Sequence, residues 1–227
     1  MEFSALDYSA IALSLKVSAV ATLLALPCAF LAAYVMTYSR FRGMILLDVF
    51  VNLPLTLPPV VIGYILLILL GQKGFIGHHI LQPLGITLIF TWKAAVIATG
   101  VVGFPLMVRS IRIGMESIEQ GLIQAARTLG AGWLDTMFTI ILPLSLRGVV
   151  AGSALMFARG LGEFGATIIV AGNIPGVTQT IPLAIYDYAS SPDGDRMAVA
   201  LCLVSILISV VVLVLHEFMG RRMIKVD

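Results

Sequence analysis

Hydrophobic positions along this chain run in long blocks, without the alternation of strands. Residues 17–38, 49–72 and 197–215 contain no charged side chain at all. Residues 86–108 are apolar apart from Lys93, and residues 143–158 apart from Arg147. A helix needs about 20 apolar residues to cross a bilayer, so the pattern predicts an all-α integral membrane protein with about five transmembrane helices. Phe90 and Trp92, beside Lys93, suit an interfacial aromatic belt. The spans form one transmembrane domain over residues 10–218, and residues 116–142 make its longest cytoplasmic loop.

That loop has a different period. Ile118, Leu122, Ala125 and Leu129 recur at spacings of four, three and four, one apolar face of a short helix. Glu116, Glu119 and Gln120 suit its first turns, and Gly130 and Gly132 end it. Pro143 then falls where the first turn of the next helix tolerates a missing N–H.

Inside the spans, Pro54, Pro58 and Pro59 remove helix donors and kink the second one. Irregular backbone at membrane depth must be covered by protein or line a water-filled cavity. Thr56 therefore either offers its hydroxyl to such a path or bonds its own helix backbone. Arg159 and Glu163, four apart, share a helix face. A charge within a span is a functional hypothesis with a partner to be named. The pair reads as a buried ion pair holding a bend and, compatibly, as a source of positive potential for a passing anion. Gly148 and Gly152 allow close helix packing. Gly160-x-Gly162-x-x-Gly165 matches a dinucleotide fingerprint but lacks the strand and βαβ unit that motif needs; its glycines permit a bend. Residues 172–191, with Ile181, Leu183, Ile185 and Tyr188 among polar neighbours, read equally as a short interfacial helix or a plain loop.

Composition closes off other classes. Of 227 residues, 59% are hydrophobic and 11% charged, with a mean hydropathy of +1.05, against about 25% charged in a soluble domain. A cytosolic enzyme, a secreted disulfide scaffold and a disordered regulator are excluded. A net charge of +2 is too small to argue for nucleic acid. Cys28 and Cys202, both in apolar runs, read as small buried hydrophobes. Glu2 and Asp7 stand where a signal peptide would be basic. One set of loops collects Arg40, Arg42, Arg109, Arg112, Arg127, Arg147, Arg221, Arg222 and Lys225, the other only Lys73, Lys93 and Arg196; Lys16 and Arg159 fall within spans. The positive-inside rule puts the N-terminus outside and the C-terminus in the cytoplasm. His78 and His79 have no supporting ligands, so no metal site is expected. No Gly-Lys dipeptide is present, so the chain has no Walker A loop. No nucleophile–base cluster occurs in the spans, and no catalytic residue is assigned.

Gln124-Ala125-Ala126, three residues, Gly130, nine residues, then Ile140-x-Leu142-Pro143 resembles the signature loop of ABC-importer permeases. The spacing matches throughout, with Gln124 where that family usually has Glu. Asn52-Leu-Pro-Leu-Thr-Leu-Pro-Pro-Val-Val-Ile-Gly-Tyr64, Ala126-Arg-Thr-Leu-Gly130 and Ala158-Arg-Gly-Leu-Gly-Glu-Phe-Gly-Ala-Thr167 resemble the family's molybdate branch along nearly the whole chain. The resemblance implies a type I importer permease in the bacterial inner membrane: a homodimer served by two ATPase subunits and an extracytoplasmic molybdate-binding protein. ATP is then used by the partner subunit, and this chain binds no cofactor. Gln124, Ala125, Ala126, Arg127, Gly130, Leu142 and Pro143 would couple to the ATPase. A translocation path at the dimer interface would involve Thr56, Pro58, Pro59, Arg159 and Glu163. Within the class, sulfate, thiosulfate or tungstate is the alternative cargo. An ion-gradient-driven anion carrier is the reading from another class, disfavoured by the few ionisable residues at mid-bilayer and the lack of a visible repeat of spans.

Overall fold

A computed structural model of the chain describes residues 3–39 and 41–224. Of the basic residues counted for orientation, Arg40, Lys225 and the side chains of Arg221 and Arg222 lie outside what is described, as does Glu2. The described residues form helices α1 (Ala5–Tyr38), α2 (Met44–Thr56), α3 (Pro59–Leu70), α4 (Trp92–Glu116), α5 (Gln120–Thr128), α6 (Trp133–Thr136), α7 (Leu142–Leu161), α8 (Gly165–Val170), α9 (Ile181–Ala189) and α10 (Asp195–Ile224), with π-helical turns at Gly77–Leu81 and Met137–Ile141. Among the described residues four helical runs are each long and apolar enough to cross a membrane, five where the bent α2–α3 pair is counted as one span.

The first helix starts well before residue 17. Ser4 and Asp7 form a capping box: the Ser4 side chain accepts from the Asp7 N–H at 3.2 Å, and the Asp7 carboxylate accepts from the Ser4 N–H at 2.8 Å. The added turns pack Ala10 against Ile181, Ala184 and Leu201 of α9 and α10. Lys16 sits at a boundary of the membrane-spanning part. Its ammonium lies 3.9 Å from the Trp92 ring centroid, a cation–π contact, and at the other end Tyr38 donates to the Met115 carbonyl at 3.1 Å. The two contacts bracket about 33 Å of helix at 1.5 Å per residue, close to the hydrocarbon thickness of about 30 Å.

The second apolar block is not one helix. Leu57 and Pro58 are extended, with ψ of 144° and 134°, because a residue before proline is driven out of the α region and Pro58 has no N–H to continue the ladder. The axes of α2 and α3 differ by 112°. α4 begins at Trp92, later than residue 86, since Phe90 takes a positive φ of 58° and Thr91 is extended. It runs on to Glu116, which closes α4 and takes no part in the loop helix.

The fourth span also departs from expectation. Pro143 does not open a free helix end; helical backbone is continuous from Trp133 through Leu161. A proline ring clashes with the carbonyl four residues back, and the π turn at Met137–Ile141, closed by the Leu142 N–H on the Met137 carbonyl, widens the spiral just ahead of it.

α4 is the central element, with α1 and α7 packed along it. Its contact with α7 is set by glycine: a Cβ on Gly148 would lie 2.8 Å from the Ser110 carbonyl oxygen and 3.0 Å from the Gly114 Cα, and one on Gly152 2.9 Å from the Met107 carbonyl oxygen. The Ser110 hydroxyl donates to the Gly148 carbonyl at 3.1 Å. Met107, Ile111, Met115 and Met156 fill the seam. Both cysteines are free, but Cys28 is exposed on the chain's outer face and Cys202 only partly buried. An apolar run in a membrane chain can be covered by lipid or a partner, so it does not require burial within the fold.

Candidate functional site

The loop between the third and fourth spans carries α5. Ile118 (8% exposed) and Ile123 (6%) anchor it to the body. The expected apolar face is shifted: Leu122 is 49% and Leu129 89% exposed. Gln124, Ala125, Arg127 and Gly130 are exposed and Ala126 half-buried. Gly130 ends α5 at a φ of +90° with nothing within 4 Å of where a Cβ would stand, so its glycine serves the left-handed backbone and not a tight internal contact. An amphipathic helix whose apolar positions face outward presents them to something other than its own chain. Leu142 is half-buried and Pro143 exposed. One connection could not be read from the sequence: the Trp133 indole N–H donates to the Tyr34 hydroxyl at 2.6 Å, ring edge to ring face, tying the start of the fourth span to α1.

The second cluster lies where two broken helices meet. A Cβ on Gly165 would stand 3.0 Å from the Pro59 Cβ, and one on Gly63 2.7 Å from the Ala166 carbonyl oxygen. The Pro58–Pro59 kink and the break after α7 therefore share one depth. Glu163 lies beyond the end of α7, so Arg159 and Glu163 do not share a helix face; the pair spans the break. Arg159 Nη1 lies 2.9 Å from Glu163 Oε2, as a contact ion pair outside hydrogen-bonding angles. Glu163 Oε1 accepts from the Ala166 N–H at 2.8 Å. Glu163 is 2% exposed, whereas the Arg159 side chain is 34% exposed. A buried charge persists when its lone pairs are paired and hydrogen-bonded; this carboxylate has both, and the positive head is left at the accessible edge. The Thr56 hydroxyl donates to the Leu53 carbonyl at 2.9 Å, the backbone bond of its two readings.

The segment after α8 is the helix α9, with Ile181, Leu183 and Ala184 buried. Asp187 on it accepts from the Asn173 and Gln179 amides at 2.8 and 2.6 Å, and Tyr188 donates to Asp7 at 2.9 Å. Burial first, then the Asp7 hydrogen bond, pushes the Tyr188 phenol above its ordinary value. Its proton is stabilised by folding below the unfolded value of about 10, and that contribution fades as pH rises through the folded one.

An all-helical body of about five spans, with an outward-facing loop helix and two opposed helix breaks, is the architecture of an importer's membrane subunit. The chain belongs to the family of binding-protein-dependent transport system inner membrane components, whose model matches residues 25–225. It is 48% identical over 215 residues to the molybdenum transport system permease protein ModB of Escherichia coli K12, covering 95% of this chain and 94% of that one. The ModB of Mycobacterium tuberculosis is 40% identical over 205 residues, 90% of this chain and 76% of the relative. Among solved structures, a bacterial alginate ABC transporter in complex with a pentasaccharide-bound periplasmic protein aligns with a TM-score of 0.77 at 17% identity, over 96% of this chain and 80% of that one. The MetNI methionine transporter in an inward-facing conformation aligns at 0.71 and 16%, over 96% and 94%. These two establish the fold alone.

Proposed function

We propose that this chain is the permease subunit of an ATP-driven importer that moves molybdate across the bacterial inner membrane by alternating access. The observation that carries the cargo is the 48% identity to a molybdenum transport permease over 95% of the chain. The chain works as a homodimer with two ATPase subunits and an extracytoplasmic molybdate-binding protein, its N-terminus outside and C-terminus in the cytoplasm. It binds no nucleotide; the ATPase subunits hydrolyse ATP.

Gln124, Ala125, Ala126, Arg127 and Gly130 present the docking helix to the ATPase. Small side chains there allow close backbone approach, while Arg127 reaches an acidic partner. ATP binding draws the ATPase subunits together. The continuous helix through Leu142 and Pro143 passes that motion to α7. The break at Gly162–Phe164 then shifts against Pro58 and Pro59, opening the path outward, and hydrolysis resets it. Arg159, neutralised but not covered by Glu163, gives a passing dianion a weakly positive edge that does not trap it.

The test is radiolabelled molybdate uptake into proteoliposomes with and without the ATPase, the binding protein and internal ATP. Uptake that needs all three and resists excess sulfate is expected. Uptake by the chain alone, driven by an ion gradient, refutes the ABC reading. ATP-dependent uptake of sulfate but not molybdate leaves the mechanism and changes the cargo.

A further inference from the structure

At the cytoplasmic ends of α2 and α4 lies a cavity of about 270 Å³, walled by Met36, Asp48, Asn52, Val108, Arg109 and Arg112. Arg109 is exposed and has no ion-pair partner among the described residues. An exposed guanidinium without a counter-ion in its own chain is free to take an anion from solution. Arg112 is shared: its Nη1 lies 3.3 Å from Asp48 Oδ1 and its Nε 2.7 Å from Glu116 Oε1. The Asn52 amide donates to the Asp48 carbonyl at 2.8 Å and reaches the same Asp48 Oδ1 at 3.4 Å. One carboxylate oxygen of Asp48 thus engages Arg112 and Asn52, two of the three donor groups that line the cavity, and leaves Arg109 open.

We propose that this cavity is an exit-side site for a tetrahedral oxyanion. Arg109, Arg112 and Asn52 are its donors, and Asp48 is a built-in competitor that takes the anion's place when the site is empty. Guanidinium groups match such oxygens in fork geometry. The competitor explains how a cationic cavity on a transport path avoids holding its cargo: the anion must displace Asp48, so it binds weakly and leaves. The inference rests on the oxyanion reading above. The same chemistry would suit the phosphate of an anionic lipid headgroup, and the test separates the two.

The permease, purified with its ATPase subunit and without the binding protein, is titrated with radiolabelled molybdate in detergent, with and without added anionic phospholipid. Asp48→Asn should tighten binding about tenfold or more, and Arg109→Gln should weaken it by about as much, as expected for charge-assisted hydrogen bonds. The double variant should return toward wild type. Size exclusion with the ATPase confirms that each variant is assembled, and a conservative Arg109→Lys should recover part of the binding if charge is what matters. Equal affinity in wild type, Asp48→Asn and Arg109→Gln overturns the proposal. So does unchanged molybdate binding with loss of co-purified anionic lipid from Arg109→Gln, which assigns the cavity to a headgroup. Wild-type uptake in proteoliposomes that persists alongside either result shows that the exit site has failed and the transport reading has not.

Discussion

Glu163 shows how much rests on one side chain. Its two oxygens serve different purposes: one faces Arg159, the other receives the Ala166 N–H that begins α8. Glu163→Gln keeps an acceptor for that N–H but leaves Arg159 uncompensated. We expect ATP-dependent uptake to fall about tenfold or more while assembly with the ATPase persists. Glu163→Ala also orphans a buried N–H, a loss of about 1–3 kcal/mol, and should lower the thermal midpoint below that of the Gln variant. Equal midpoints for the two would show that the Ala166 bond does not matter. Gly148 is a second such position. Gly148→Val forces a side chain into the Ser110 carbonyl and the Gly114 backbone, an overpacking cost of about 1–3 kcal/mol, whereas Gly121→Ala meets open space and should stay within about 0.5 kcal/mol. Thermal unfolding in detergent, comparing the two, decides whether the α4–α7 seam is as tight as its geometry states.

Among the elements, α5 was legible in the sequence in its place and ending but not in its facing. Period alone marks which residues want cover; it does not say whose surface supplies it. Leu122 and Leu129 fit the stripe and still point away from the chain, while Ile123, off the stripe, anchors it together with Ile118. The start of α1 was readable in principle, because Ser4-x-x-Asp7 is a capping box. The double proline announced the second span's kink but not its 112°, which depends on what α3 packs against. Asp48–Arg112 and Tyr34–Trp133 left no trace, being contacts between residues far apart in sequence whose types carry no shared motif. From the outward facing of α5 a prediction follows. Leu129→Asp removes no contact within the chain, so the permease should keep its thermal midpoint yet lose co-purification with the ATPase. Gly130→Arg should do the same with a small added cost from a side chain at positive φ, about 1–2 kcal/mol. Complex formation and transport that both survive these changes would remove α5 from the coupling role.

For the molecule as a whole, the exposed apolar surface sorts the environment. Only 11% of the most apolar stretch of α10 is buried, against 61% for that of α4. A lone chain in water could not carry such faces, and lipid or a partner covers them. The direction in which the bundle threads the bilayer rests on the basic residues at one end, and Arg42, Arg109, Arg112 and Arg127 lie on the side of α5. Single cysteines placed in a background lacking Cys28 and Cys202 test this directly. Leu84→Cys, on the exposed segment between α3 and α4 (65% exposed), should react with a membrane-impermeant maleimide in intact cells. Gly121→Cys, on exposed α5, should react only after the membrane is opened. Gly121 has nothing within 4 Å of an added Cβ and Leu84 is mostly exposed, so protection reflects the bilayer and not the fold. The reverse pattern would put α5 outside, where no cytoplasmic ATPase could reach it, and the orientation and the coupling mechanism would fall together.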